Sequence, residues 1–259
     1  MSSERVQREP LLTRENAKKA VRNPVEGVRH VTQRLEVRLK KMLYRDYETY
    51  YLSETKADVD EDPAAAVGPA DLWEEMRTWQ FEFLVKKAGL EEDDVLLDLG
   101  CGVLRGGIPL IEYLDVGNYY GMDISGDALE QGREAIASHD LADKDPTLVN
   151  NTDLRFQESE LSTLQANVVW AQSVLTHLPP EQVQELLAHV DRVLDEGGQF
   201  YATWYKADEI VERANGFGFE YPLAVLQKWA GENGLSAEEV PCDHPNGLEM
   251  VVFQRRGSK

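Results

Sequence analysis

The stretch Val95-Leu-Leu-Asp-Leu-Gly-Cys-Gly-Val-Leu-Arg-Gly-Gly107 leaves the chain few ways to fold. Its apolar run, ending at Asp98, reads as a strand buried on both faces of a parallel sheet. Gly100 and Gly102 then permit a tight turn that brings main chain against a ligand, and Ile108 to Leu114 begins a helix. A second strand, Asn118 to Asp123, ends on a carboxylate where open α/β folds hydrogen-bond a ribose. Strand, glycine turn, helix and strand therefore predict an α/β fold around a site of nucleotide shape.

The alternation continues downstream. Ser125 to His139 reads as a helix capped by Ser125 or Asp127, a looser stretch leads to a third strand at Leu154 to Gln157, and Asn167 to Gln172 forms a fourth. Pro179-Pro180-Glu181 opens a helix with Val183, Leu186, Leu187, Val190 and Leu194 on one face, because proline suits a first turn. Gly197-Gly198 ends it, and Gln199 to Tyr205 supplies a fifth strand. Lys206 to Pro222 reads as a loop over the site and Leu223 to Asn233 as a helix. Leu235 to Val240 and Leu248 to Arg255 form an antiparallel hairpin at the sheet edge. Upstream, Asp71 is the expected N-cap of a helix with Leu72, Met76, Trp79 and Phe83 on one stripe, ending at Gly89 and covering the first strand. The expected fold is α/β, a Rossmann-like, mostly parallel seven-stranded sheet with an antiparallel last strand, preceded by an N-terminal amphipathic helical segment.

Charge marks that N-terminal segment off. Residues 1–50 hold 12 Lys and Arg against 7 Asp and Glu, leaving 15 against 40 over residues 51–259 and a net charge of −20 for the whole. Within it Val21, Val25, Val28, Val31, Leu35, Leu39 and Met42 recur at three- and four-residue spacing among Arg and Lys, the pattern of an amphipathic helix. Such a helix can brace the acidic domain, self-associate, or lie on an anionic membrane surface. The expected division is a basic amphipathic segment over 1–56, a Pro-containing linker over 57–70 and the main domain over 71–259.

The negative field disfavours nucleic acid as a partner, and so acidic a surface suggests a halophilic source, where salt screens the self-repulsion. Cys101 and Cys242 are too few for a disulfide framework and have no metal-ligand spacing, so no metal is expected. Neither the apolar core of a signal peptide nor an apolar run of about 18 residues occurs. The expected location is cytoplasmic, with the inner membrane face within reach of the basic helix.

Two nucleotide chemistries begin with such a loop. The dinucleotide fingerprint requires a third glycine three positions after Gly102, where Arg105 stands, and Asp98 is unusual for it. Asp98-Leu-Gly-Cys-Gly102, Asp123, the run Asn167-Val-Val-Trp-Ala-Gln-Ser-Val-Leu-Thr-His-Leu-Pro-Pro180 and Leu194-Asp-Glu-Gly-Gly198, in that order, resemble class I S-adenosylmethionine-dependent methyltransferases. The resemblance spans roughly residues 71 to 255. It departs from the family's commonest Asp-x-Gly-x-Gly-x-Gly pattern at Leu104, with the next glycines at Gly106 and Gly107.

The resemblance implies S-adenosylmethionine as cofactor and assigns roles. Gly100 and Gly102 would carry main chain against the methionine part, Asp98 would orient its ammonium, and Asp123 would accept both ribose hydroxyls. Ile124 would flank the adenine, Glu158 and Ser159 would meet its edge, and Gln172 would line the pocket near the methyl group. The motif forms resemble enzymes concerned with cell-surface sugars or small metabolites. O-methylation of a sugar, a hexuronic acid of a lipid-linked or cell-surface glycan, is the leading expectation; another small metabolite or a non-catalytic cofactor-binding scaffold are the alternatives. A small-molecule or glycan acceptor is thus the expected partner.

Ligands of open α/β sheets bind at the carboxyl ends of the strands, which makes His177, after the fourth strand, and His244, in the hairpin turn, candidates for a general base. Either can also be a structural histidine, His177 one bonded at the start of the Pro179 helix. Trp204, Tyr205 and Tyr221 fall near the same rim, and Arg105 can meet a carboxylate on cofactor or acceptor. Arg105, Tyr205 and Tyr221 are therefore the candidate acceptor contacts, and Cys101 reads as a packing residue.

Overall fold

The computed structural model describes residues 6–8, 49, 52, 70–213 and 218–257. Most of the segment 1–56 and of the linker 57–70, and the stretch 214–217, lie outside the described residues, so the expected amphipathic helix does too.

The strand that begins the opening motif is β2 (Leu96–Leu99), numbered after a two-residue β1 (Gln7–Arg8). Then follow β3 (Tyr119–Asp123), β4 (Thr147–Asn150), β5 (Ala166–Ala171), β6 (Leu194–Lys206), β7 (Val211–Glu212), β8 (Phe219–Tyr221), β9 (Leu235–Val240) and β10 (Glu249–Arg255). The main sheet runs β4-β3-β2-β5-β6-β10-β9. Only β10 is antiparallel to its neighbours β6 and β9, and the pairings from β4 to β6 are all parallel. That is the seven-stranded, mostly parallel Rossmann-like sheet expected. Where β6 passes the main sheet it also pairs with β8, which carries β7 and then β1.

Alternate residues of β2 serve opposite faces. Leu97 and Leu99 join a core with Val169, Phe200 and Phe253, packed under α4 (Pro180–His189) and α5 (Leu223–Glu232) through Val183, Leu186, Leu226 and Trp229. Leu96 faces the other core with Tyr119, Trp170 and Tyr201. There Phe83 of α1 (Trp73–Phe83), Leu110 and Ile111 of α2 (Gly107–Tyr113), and Leu129 and Ile136 of α3 (Gly126–Ser138) cover it. Burial on both faces explains why these strands read as continuous apolar runs.

Four expectations need correction. The helix opened by Pro180 ends at His189 and not at Gly197-Gly198: a 3₁₀ turn over Val190–Arg192 follows, and Leu194, Gly197 and Gly198 already belong to β6. The third strand is Thr147–Asn150, not 154–157: the Asn151 carboxamide accepts from Asp153 N–H and the Asp153 carboxylate from Arg155 N–H, each at 2.8 Å, and Phe156 has φ +54°. Successive side-chain turns thus displace a strand there, and Phe156 is buried from a loop. The stretch 206–222 is not a plain loop, since it holds β7 and β8. Asp71 is no N-cap: it lies in a 3₁₀ turn, and α1 starts at Trp73 without a side-chain cap. Gly89 does end this helix, in the left-handed conformation after a π-helical turn over Leu84–Ala88.

Candidate active site

The loops leaving β2 and β3 meet at the carboxyl edge of the sheet. Gly100 N–H and Cys101 N–H both donate to Met122 O, at 2.7 and 3.2 Å, so the glycine turn is pinned to β3. Gly100 has φ +74°, and a Cβ there would stand 2.5 Å from Val174 Cγ2, so the position admits neither an L side chain's conformation nor its volume. Gly102, at φ +55°, donates its N–H to Asp123 Oδ2 at 2.8 Å, while Ser125 N–H donates to Asp123 Oδ1 at 2.8 Å. Ile124 N–H bears on the same carboxylate, and the acceptor capacity that remains fits a ribose hydroxyl. Burial pushes the Asp123 carboxyl above its ordinary range, and the Ser125 and Gly102 N–H groups oppose that. The Ser125 hydroxyl caps α3 by accepting from Ala128 N–H, as expected.

Leu104 stands where the commonest pattern of the resembled family has its third glycine. Leu104 adopts φ +64° and is buried, its side chain packed where Gly107 and Gly132 have no Cβ. Burial of the leucine outweighs the cost of its backbone conformation, about 1–2 kcal/mol against about 2–5 kcal/mol for emptying such a site.

Asp98 is buried at the mouth of this loop, and Tyr119 donates its hydroxyl to Asp98 Oδ2 at 2.7 Å. Burial raises the Asp98 carboxyl to about 7, against the opposing effects of Tyr119 and Arg105. An ammonium group placed beside it would favour the ionised form, the role the resemblance gives it. Cys101 is buried, with its thiol pushed far up, and packs against Gly121; it is no nucleophile.

The opposite wall is built from distant parts of the chain. Arg105 is 7% exposed and lies over the Trp73 ring at 5.9 Å; burial lowers it to about 10, and Asp98 opposes the fall. The nitrogen of the Gln172 amide stands 2.8 Å from Nε2 of His244, 3.1 Å from Ser173 Oγ and 3.8 Å from Met76 Sδ. His244 packs edge-on against Trp79 and accepts at Nδ1 from Asn246 N–H at 3.0 Å. Burial first, and Arg105 second, lower it to about 4. Neutral, with both ring nitrogens engaged, His244 does not fit the general-base role expected of it. His177 lies half-buried in the turn after β5, its main-chain N–H donating to Val174 O at 2.9 Å.

Other expected contacts divide. Ile124 is half-buried next to Asp123, and Asn150 Nδ2 donates to both Asp123 O and Ile124 O at 3.0 Å. Glu158 is drawn back to the end of β4, where Asn151 donates to its carboxylate at 2.7 Å. Ser159 is exposed and donates to Glu160 at 2.6 Å. Tyr221 is a core residue, not an acceptor contact: it is wholly buried, its hydroxyl donates to Leu178 O, and its main-chain oxygen accepts from Trp204 Nε1. Tyr205 is half-buried with the Arg213 guanidinium 4.1 Å above its ring.

Asn150, Asn151 and Tyr119 escaped the sequence reading. The run Asn150-Asn-Thr-Asp153, rich in turn-forming side chains, was the signal that the strand ends there. Among the described residues no cluster of metal-binding side chains and no helix long and apolar enough to cross a membrane occurs.

Residues 97–200 match the family model described as "Methyltransferase domain". Solved structures of the same fold include magnesium protoporphyrin IX methyltransferase from Synechocystis PCC 6803 with bound SAM, at 18% identity and TM-score 0.59, covering 82% of this chain and 98% of that one. A SAM-dependent methyltransferase from Leishmania major aligns at 13% identity and TM-score 0.59, over 82% and 86% of the two chains. The CcbJ methyltransferase from Streptomyces caelestis aligns at 19% identity and TM-score 0.54, over 77% and 95%. Matched domain and observed geometry agree on S-adenosylmethionine as the cofactor.

Proposed function

We propose that this S-adenosylmethionine-dependent methyltransferase methylates an oxygen of a sugar, a hexuronic acid of a lipid-linked or cell-surface glycan. The observation that carries the acceptor class is Arg105, an almost fully buried guanidinium over an indole at the lip of the cofactor loop. A guanidinium complements a carboxylate and the adjoining indole suits a sugar ring. The excess of basic residues over 1–50 supports presentation of the acceptor at an anionic membrane surface.

The cofactor supplies a methyl group on a sulfonium, which an oxygen lone pair takes by in-line displacement of sulfur. The protein's own contribution is placement, on the order of 7–11 kcal/mol when the reacting atoms are held in line. With the cofactor bound, Asp123 would hold the ribose end and Asp98 the ammonium, and the Gly100–Gly102 turn would admit main chain close to the methionine part. A carboxylate oxygen needs no base. For a hydroxyl, His177, at the carboxyl end of β5, takes the proton, worth roughly 10² to 10⁴ in rate.

Incubation with methyl-labelled S-adenosylmethionine and cell fractions at high salt tests this reading. Label is expected in a glycolipid fraction, and His177→Ala should lower transfer to a hydroxyl more than it lowers cofactor affinity. Label confined to protein or RNA contradicts the sugar assignment.

A further inference from the structure

Tyr119 opens β3 beside Leu96 of β2, two residues before Gly121, which is in register with Asp98. A Cβ on Gly121 would stand 3.2 Å from Tyr119 Cε1, so the ring passes over a glycine to reach Asp98. Its hydroxyl ends 2.7 Å from Asp98 Oδ2, with both residues buried. A second glycine seats that hydroxyl: a Cβ on Gly107, at the start of α2, would stand 2.5 Å from the phenol oxygen. Burial first, and the charge of Asp98 second, push the Tyr119 phenol well above its ordinary value, so it keeps its proton and donates. Two glycines thus let one fixed donor reach one oxygen of a buried carboxylate.

We propose that Tyr119 is a positioning residue for the cofactor: its hydroxyl fixes Asp98 through Oδ2, reserves the other oxygen for the ammonium of S-adenosylmethionine, and steadies the carboxylate's charge until that ammonium arrives. The surroundings of Asp98 make the hydroxyl necessary. Burial raises the carboxyl, and the Tyr119 hydroxyl is the largest influence opposing that rise. Asp123, at the end of β3, adds to the rise, and Arg105 of the cofactor loop opposes it more weakly. Cys101 of the same loop is neutral, its thiol pushed far up by burial, and β5 sets the uncharged Trp170 in register with Asp98. Without the hydroxyl, a buried carboxyl beside Asp123 would hold its proton at neutral pH, and an ammonium would meet an acid where it needs an anion. The role requires S-adenosylmethionine as cofactor and is independent of the acceptor.

Tyr119→Phe keeps the ring and removes only the hydroxyl, and the full-length chain carries the test. Carbon-13 spectra at the aspartate carboxyls, with Asp98 identified by its loss in Asp98→Asn, follow this group with no ligand present. Its ionisation should move up by about one to two pH units, the worth of a hydrogen bond to a charged group. An unmoved titration overturns the proposal whether or not the cofactor binds. Gly107→Ala, which drives a methyl against the same hydroxyl, should shift it in the same direction; no shift, or one downward, contradicts the seat. Calorimetric titration of S-adenosylhomocysteine then reads the consequence. At pH 7 affinity should fall about 5- to 50-fold in Tyr119→Phe, as the ionised fraction falls from about half, and the proton released per ligand should rise toward one. 5′-Methylthioadenosine, which keeps the nucleoside and lacks the ammonium, should bind both chains alike. An equal loss for both ligands shows a merely structural role and overturns the proposal. Failure of the unsubstituted chain to bind S-adenosylhomocysteine counts against the cofactor instead, and the ligand-free titration tells the two failures apart.

Discussion

The two walls of the site are made differently. The cofactor wall comes from one continuous stretch, Asp98 to Ser125, and its key contacts are main-chain N–H groups: Gly102 and Ser125 on Asp123, Gly100 and Cys101 on Met122. The facing wall, where the proposed acceptor would sit, joins Arg105 of that stretch to Met76, Trp79, Gln172 and His244 from distant parts of the chain, and it works through side chains. Main-chain contacts follow from local conformation, which glycines dictate. Side-chain contacts follow from packing, which any of several sequences can achieve. The first wall is therefore fixed by the motif, and the second is where one methyltransferase can differ from another.

The largest expected effect lies on the cofactor wall. Asp123→Ala removes two acceptor positions, each worth about 1.5–3 kcal/mol to a hydroxyl when charged, so affinity for S-adenosylhomocysteine should fall about 100-fold or more by calorimetry. Gly100→Ala places a methyl 2.5 Å from Val174 Cγ2 in a left-handed conformation, and a loss of about 1–3 kcal/mol is expected in denaturant unfolding. Leu104→Gly relieves backbone strain but empties a buried site, and the cavity costs more than the strain returns. A net loss of about 1–3 kcal/mol follows, where a gain in stability would show that strain dominates.

A finer contrast comes from pH, because Asp98 on one wall and His244 on the other are displaced in opposite directions. Asp98 is raised from 3.8 to about 7 in the folded chain, chiefly by burial, so the native state holds the extra proton between those values. Its contribution to stability therefore falls as pH rises through that window. His244 is lowered from 6.5 to about 4, also chiefly by burial, so the unfolded chain holds the extra proton and its contribution rises with pH from 4 to 6.5. The slopes offset in the native protein. Asp98→Asn should leave stability rising with pH over that shared window, and His244→Gln should leave it falling, by urea unfolding at high salt; slopes of the same sign would break the comparison.

The same division explains what could be read from the sequence. β2, the glycine turn, β3, the Ser125 cap and the β9–β10 hairpin were legible because proline, glycine and apolar periodicity act locally. The position of β4 was not, because four residues pairing only with β3 carry a weak pattern, whereas Leu154 and Phe156 mimic a strand while packing from turns. Tyr221 looked like a rim aromatic because nothing in its neighbourhood tells of Leu178, 43 residues away, which takes its hydroxyl. His244 looked like a base because sequence cannot show that Asn246 and Gln172 engage both its nitrogens.

Calorimetric titration of S-adenosylhomocysteine between pH 5.5 and 8.5, in buffers of different ionisation enthalpy, tests the cofactor site most directly. Asp98, near half-ionised at pH 7, must lose its proton to face the ligand's ammonium. Affinity should climb as pH rises toward 7 and level off above it, with about half a proton released per ligand bound at pH 7, and Asp98→Asn should abolish both effects. Undetectable binding, or binding that is indifferent to pH in the unsubstituted protein, would contradict the account.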